Sequence, residues 1–62
     1  MEEITYDFKV VCFDQDTDEI VYLEFVPIVA DNTEDAKDRL DEFVEEFIND
    51  NWYWEYDLIN VG

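Results

Sequence analysis

The side chains best suited to chemistry in this sequence are carboxylates. Asp14, Asp16 and Asp18 follow the D-x-D-x-D pattern with which a calcium-binding EF-hand loop begins. That loop then requires a glycine where this chain has Glu19, and a bidentate glutamate where it has Phe25. The sequence therefore predicts a solvated turn at these aspartates and no metal site.

Enzymatic chemistry has few of the side chains it needs here. The chain has no histidine, and its one glycine is Gly62, so a glycine-rich phosphate loop and a nucleophile elbow are excluded. Paired carboxylates could serve glycoside hydrolysis, but that reaction requires a cleft between them. A chain this short builds little cleft. We predict a protein that is not an enzyme and holds no cofactor.

A dense group of carboxylates lies in the one segment with clear helical periodicity. Its apolar residues recur at the spacing of one helix face: Ala36, Leu40, Phe43, Val44, Phe47 and Ile48. The acids point away from this stripe, three or four residues apart: Asp35, Asp38, Asp41, Glu42, Glu45 and Glu46. A four-residue step along a helix is about 6 Å, similar in size to the phosphate spacing along a DNA strand. The plain alternative is a solvated helix face.

The charge of the whole chain favours selection for acidity. It has 19 acids and 3 bases, a net charge of −16 over 62 residues, whereas a small domain needs only about 2–8 charges for solubility. Nucleic acids and anionic membranes bind basic surfaces, so direct binding to either is excluded. At 48% hydrophobic residues the chain is too apolar for a disordered tail. These features predict a folded protein with a basic partner.

The segments on either side of the helix have the pattern of strands. Three of them are rich in β-branched and aromatic side chains and alternate in polarity: residues 4–13, 20–29 and 52–61. In the second strand we assign Val21, Leu23 and Phe25 to the inner face, and Pro27 indicates an edge strand because it has no N–H to donate. Asn32 or Thr33 can cap the helix, and residues 49–51 are expected to end it.

The element order is ββαβ. A hairpin followed by a helix that crosses the sheet predicts an α+β fold, one domain over residues 1–62, with antiparallel strand order 2-1-3 and the helix on one face. The other face is then uncovered, and we expect it to bind a second copy or a partner. The residues assigned to it are Val11, Phe13, Ile20, Tyr22, Val26 and Ile28.

Two tyrosines complete the predicted partner-binding set. We place Trp54 and Tyr56 in the core and treat Tyr22 and Tyr53 as exposed interface anchors. The set also includes the aspartates of the turn, Glu55 and Asp57 on the last strand, and the acids of the helix. A single cysteine, Cys12, fits a reducing compartment, so we predict a cytoplasmic protein.

Residues 26–36, with the sequence VPIVADNTEDA, resemble the strand-to-helix junction of the small T7-type phage inhibitor of bacterial RNA polymerase. That family shares the ββαβ order and the chain length, and the match covers a sixth of the chain. Its last strand grips the polymerase with basic residues, where this chain has Glu55 and Asp57. In acidity, size and element order the chain is also similar to the dimeric phage inhibitors of uracil-DNA glycosylase, which are DNA mimics. These resemblances imply a phage-encoded inhibitor in a host cytoplasm.

We therefore predict a stoichiometric DNA-mimic inhibitor that blocks the DNA-binding surface of a basic host protein, such as a glycosylase, a restriction enzyme or a CRISPR effector. The alternative is an interaction module that inhibits a host enzyme such as RNA polymerase through a sheet edge and aromatic residues. A third interpretation is an acidic accessory or structural protein.

Overall fold

A computed structural model describes residues 3–62 as a three-stranded antiparallel sheet with one helix packed on it. The strands are β1 (Ile4–Asp14), β2 (Ile20–Ala30) and β3 (Trp52–Val61), and the helix α1 is Thr33–Glu45. The strand order is β2-β1-β3. This confirms the predicted α+β fold, and it places β2, the strand with Pro27, at a sheet edge.

The hairpin between β1 and β2 closes through an aspartate turn. Asp14 Oδ1 accepts hydrogen bonds from the backbone N–H of Asp16 at 2.8 Å and of Thr17 at 3.3 Å. Asp18 takes a left-handed conformation with φ 59°, which aspartate tolerates better than most residues. The turn is therefore built by its own acidic side chains.

The core lies between one face of the sheet and α1. In β1 the even-numbered residues from Tyr6 to Cys12 are buried, and their odd-numbered neighbours point to the opposite face. The helix contributes Ala36, Leu40 and Val44, all fully buried. It packs mainly against β2. Tyr56 and Leu58 of β3, on the same face as the helix, remain partly exposed.

The helix begins where the sequence predicts and ends earlier. Asn32 is the N-cap, and its side chain accepts a hydrogen bond from Asp35 N at 2.8 Å. The helix stops at Glu45, although Phe47 and Ile48 still pack against the core. Its last turn has no basic residue, so the acids there oppose the negative end of the helix dipole and favour an early end.

The predicted face assignment of β2 is wrong. The register pairs Tyr22 with Cys12, Val26 with Phe8 and Ile28 with Tyr6, which places all three on the helix side of the sheet. Val21, Leu23 and Phe25 are exposed instead. Both faces of β2 are apolar, so alternation alone does not distinguish them, and an irregularity between Cys12 and Phe13 shifts the register.

The face away from the helix is called the outer sheet face below. From β1 it carries the odd-numbered residues, including Val11 and Phe13 as predicted, and Ile20 is paired with Phe13. Leu23, Phe25 and Val29 complete its apolar part on β2. Over residues 3–62, no helix is both long and apolar enough to cross a membrane.

Candidate functional site

The six carboxylates predicted on the helix lie on its solvent side. At 3.6 residues per turn they occupy the arc opposite the buried Ala36, Leu40 and Val44. Four of them are exposed and two, Asp35 and Asp41, are half-buried at the borders of the arc. We call this surface the acidic helix face; it comprises Asp35, Asp38, Asp41, Glu42, Glu45 and Glu46.

The two basic residues of α1 do little to neutralise this face. Arg39 Nε lies 3.3 Å from Asp35 Oδ2, one turn away, and the two side chains are 58% and 39% exposed. Lys37 Nζ lies 5.7 Å from the centre of the Tyr56 ring, on the side towards β3. Within residues 3–62, Arg39–Asp35 is the one ion pair closer than 4.0 Å. The middle and the C-terminal end of the acidic helix face therefore keep their negative charge.

The helix carries these acids at a cost to its own stability. Like charges four residues apart, such as Asp38 and Glu42, destabilise a helix by about 0.2–0.5 kcal/mol per pair. Acids at the C-terminal end oppose the helix dipole, with a typical effect of about 0.3–1 kcal/mol for each charge; Glu45 is the last residue of the helix and Glu46 is its C-cap. Folding alone would favour fewer acids on this helix, so the surface favours a role for the charge itself.

The acidic turn lies beside the segment that follows the helix. Gln15 N donates to Asn51 O at 2.8 Å, and Gln15 Nε2 lies 3.4 Å from Asp50 O and 3.3 Å from Trp52 O. These bonds hold Asp14, Asp16 and Asp18 next to Asp50. Gln15 thus joins the turn to the segment that follows α1. The role of Gln15 was not predicted from the sequence, because its hydrogen-bond partners, residues 50–52, are distant in the chain and no local pattern indicates them.

Two of the three turn carboxylates already have hydrogen-bond donors. Asp14 Oδ1 caps the turn, and Asp18 Oδ1 accepts from Tyr53 Oη at 3.0 Å. In the part of the chain that the structure describes, no three metal-ligating side chains lie together in a group that could hold an ion.

Glu55 and Asp57 do not join the acidic helix face. They pair with Val11 and Lys9 of β1, which places both carboxylates on the outer sheet face. The predicted partner-binding set is thus divided between two sides of the molecule. The acids of the helix lie on one side and Glu55 and Asp57 on the other, and Asp18 of the turn bonds to Tyr53 of the outer sheet face.

The two candidate tyrosines also separate. The prediction that Tyr22 lies on the outer face is wrong: its ring packs 5.1 Å from that of Phe47, between the helix end and the sheet. Its hydroxyl donates to Glu24 Oε2 at 2.7 Å, and this bond is the main reason why its pKa is raised. The bond can form because Glu24, like Tyr22, lies on the helix side of the edge strand β2.

Tyr53 is on the outer sheet face and is exposed. Its ring stacks on Phe13 with centroids 5.0 Å apart. Its hydroxyl donates to Asp18, and this bond raises the pKa of Tyr53. Tyr53 is therefore held in one orientation at the turn end of the sheet, and its role in binding a partner stays a prediction.

The single cysteine, Cys12, is buried, and burial raises the pKa of its thiol, which disfavours the reactive thiolate.

Searches against protein-family models, curated proteins and solved structures found no match for this chain.

Proposed function

We propose that this protein is a stoichiometric DNA-mimic inhibitor, encoded by a phage, which occupies the DNA-binding surface of a basic host protein. The observation that carries the proposal is the acidic helix face, whose carboxylates outnumber the cations of α1 and lie on its solvent arc. The partner would be a nucleic-acid-binding protein or a defence enzyme such as a glycosylase, a restriction enzyme or a CRISPR effector.

The physical basis is repetition of negative charge at a regular step. Successive carboxylates on one side of α1, such as Asp38, Glu42 and Glu46, follow one another about every 6 Å along the axis. A groove lined by lysine and arginine for a DNA strand can pair with such a row. Long-range attraction between a chain of charge −16 and a basic groove also accelerates association.

The surface proposed for contact is the acidic helix face with the adjoining turn. Asp50 and Asp16 extend the negative surface beyond the C-terminal end of α1, because Gln15 holds the turn against residues 50–52. Glu55 and Asp57 face the other way, so a rigid groove that holds the helix does not reach them. In this proposal they add to the overall field and make no direct contact.

The edge strand β3 supports a second candidate, an interaction module that inhibits a host enzyme such as RNA polymerase. The helix leaves Tyr56 and Leu58 of β3 partly exposed, and an open depression of about 400 Å³ runs along this strand, lined by residues 54–57. A partner strand could pair with this edge and cover these side chains. Such a contact would depend on aromatic and apolar groups, with little dependence on salt.

Displacement by DNA separates the two candidates. The immobilised protein is used to capture binding proteins from a bacterial lysate, and the bound fraction is then treated with duplex DNA at constant ionic strength. The proposal predicts that DNA releases the captured protein, because both ligands occupy one groove. A captured protein that stays bound in excess DNA, and is released only by denaturant, would contradict mimicry and favour the module.

A further inference from the structure

The outer sheet face carries a pattern of side chains that DNA mimicry does not use. Residues paired across the antiparallel strands lie side by side on one face. Each row runs across the sheet and has one residue from β2, one from β1 and one from β3, in that order. Three successive rows are Pro27–Asp7–Asn60 (the Asp7 row), Phe25–Lys9–Asp57 (the Lys9 row) and Leu23–Val11–Glu55. The pair Val29–Thr5 lies next to the Asp7 row, on the side away from the Lys9 row.

The rows are apolar on one side and charged on the other. Along β2 the outer face has no charged residue, and Phe25 is 64% exposed, with Leu23 at 45% and Val29 at 44%. The charges lie on the other two strands: Asp7, Lys9, Glu55 and Asp57. An uncovered apolar strand of this length is unusual on a soluble monomer and marks an interaction surface.

We propose that this face binds a second copy of the chain, about a two-fold axis that crosses the strands between the Asp7 row and the Lys9 row. Each of these rows then lies over the other row of the partner copy. Lys9 faces Asp7, Phe25 faces Pro27, and Asp57 faces Asn60, whose amide can donate to a carboxylate. Symmetry makes every one of these contacts twice.

The next rows agree with the same arrangement. Leu23 faces Val29 of the second copy, and Val11 faces Thr5, so the apolar β2 strands cover each other. Moving the axis onto the Lys9 row would place Lys9 over Lys9 and Asp57 over Asp57. Moving it one step further towards the turn would place Asp57 over Glu55. Of these three positions of the axis, the charge pattern favours the one between the Asp7 row and the Lys9 row.

The area suffices for a weak dimer. The overlap spans about eight residues of three strands, roughly 26 Å by 14 Å, and side chains that stand up from the sheet bury more than this flat area. The total for both copies lies near the lower limit of specific interfaces, about 1,000 Å². We therefore expect an equilibrium between monomer and dimer that depends on protein concentration.

The large negative charge of each copy repels the other copy, but this repulsion is reduced by the distance between the two acidic helix faces. Packed sheets lie about 10 Å apart, and each helix lies roughly 10 Å outside its own sheet. The two acidic helix faces thus point away from each other, with helix axes about 30 Å apart, three Debye lengths at 0.1 M salt. Salt should strengthen the dimer, whereas it should weaken binding to a basic target.

Sedimentation of the purified protein over a range of concentrations, at about 0.05 M and 0.5 M NaCl, tests the dimer. Leu23 and Leu58 supply a matched pair, since they are 45% and 41% exposed and lie on opposite sheet faces. Leu23→Ser removes an apolar contact twice, so we expect dimerisation at least about tenfold weaker. Leu58→Ser should leave it unchanged, and circular dichroism checks that both variants fold.

A charge exchange tests the register. Lys9→Asp should weaken the dimer, and Lys9→Asp with Asp7→Lys should restore it, because the opposite charges then face each other again. Lys37→Asp makes the same change in net charge on the helix and should have little effect. A wild-type protein that stays monomeric at both salt concentrations, equal effects of the two leucine variants, or no recovery in the exchange variant would overturn the proposal. No target protein takes part, so the outcome is independent of DNA mimicry.

Discussion

Tyr53 donates its hydroxyl hydrogen to Asp18 Oδ1 at 3.0 Å, although 35 residues separate them. The bond joins β3 to the turn of the β1–β2 hairpin. Asp18 has φ 59°, so a residue in a sparsely populated backbone conformation is also held by its side chain. The carboxylate accepts from the neutral phenol, and this raises the pKa of Tyr53.

This relationship predicts the behaviour of the protein in alkali. A tyrosine whose pKa is raised by folding contributes stability that is fully present below its unfolded pKa of about 10 and is lost as the pH rises through the folded value. Tyr22, bonded to Glu24, shifts in the same direction. We expect the free energy of unfolding to fall above about pH 10, and to fall less in Tyr53→Phe. Urea titrations across this range measure it; an equal fall in both proteins would contradict the assignment.

The core prediction rests on the different exposure of two residues of α1. Leu40 is fully buried, whereas Phe43 is 36% exposed and packs edge-on against Phe47. Leu40→Ala should therefore cost about 2–5 kcal/mol, and Phe43→Ala about 1–2 kcal/mol. Urea unfolding of the two variants gives the comparison. A larger loss for Phe43→Ala would mean that the helix is rotated relative to the sheet.

The helix cap gives a smaller, local effect. Asn32 Oδ1 accepts from Asp35 N at 2.8 Å, so Asn32→Ala should destabilise the protein by about 1 kcal/mol, whereas Asn32→Asp should nearly preserve the cap. Thr33→Ala is the control, because Thr33 is the first helical residue. Equal losses for Asn32→Ala and Thr33→Ala in urea unfolding would contradict the cap assignment.

Salt should stabilise the monomer. Screening shortens the reach of repulsion among the carboxylates, to about 10 Å at 0.1 M, and over residues 3–62 one of these carboxylates, that of Asp35, has a cation within 4.0 Å. At a protein concentration too low for dimers, the melting temperature should be higher in about 500 mM than in about 10 mM NaCl. An unchanged or lower melting temperature would show that the charges compensate one another better than this structure indicates.

The fold could be predicted from the sequence because separate signals agree. The apolar stripe from Ala36 to Val44, the cap at Asn32 and the alternation of β1 each indicate one structure, and the hairpin limits the strand order. The faces of β2 could not be predicted in this way. Residues 20–30 are apolar on both sides of the strand. The register between β1 and β2 also depends on an irregularity beside Phe13, which no local sequence pattern predicts.

The acids of the helix could be placed from helix periodicity. The residues of the strands could not, because the face on which they lie depends on how the strands pair. Five acids of α1 and Glu46 at its C-cap lie on the solvent side because Ala36, Leu40 and Val44 fix the buried side. Glu55 and Asp57 belong to the other side of the molecule, which follows from their partners in β1 and not from their own sequence. Tyr22 faces inward for the same reason, with Glu24 as its partner.

Neutralising the acidic helix face tests DNA mimicry most directly. The variant Asp38→Asn, Asp41→Asn, Glu42→Gln, Glu45→Gln removes four charges and relieves like-charge repulsion within the helix. A matched control removes the same number and types of acid elsewhere: Glu3→Gln, Asp7→Asn, Glu55→Gln and Asp57→Asn. Tyr53→Ala and Tyr56→Ala remove the aromatic contacts that an interaction module would use.

The measurement is the affinity of the captured, DNA-displaceable protein for each variant by titration. Each charge contact contributes about 1–3 kcal/mol, so the helix variant should bind at least about a hundredfold more weakly. It should keep or improve its melting temperature, and the matched control should bind much more tightly than the helix variant. Normal binding by the helix variant, together with loss of binding in a tyrosine variant, would contradict DNA mimicry.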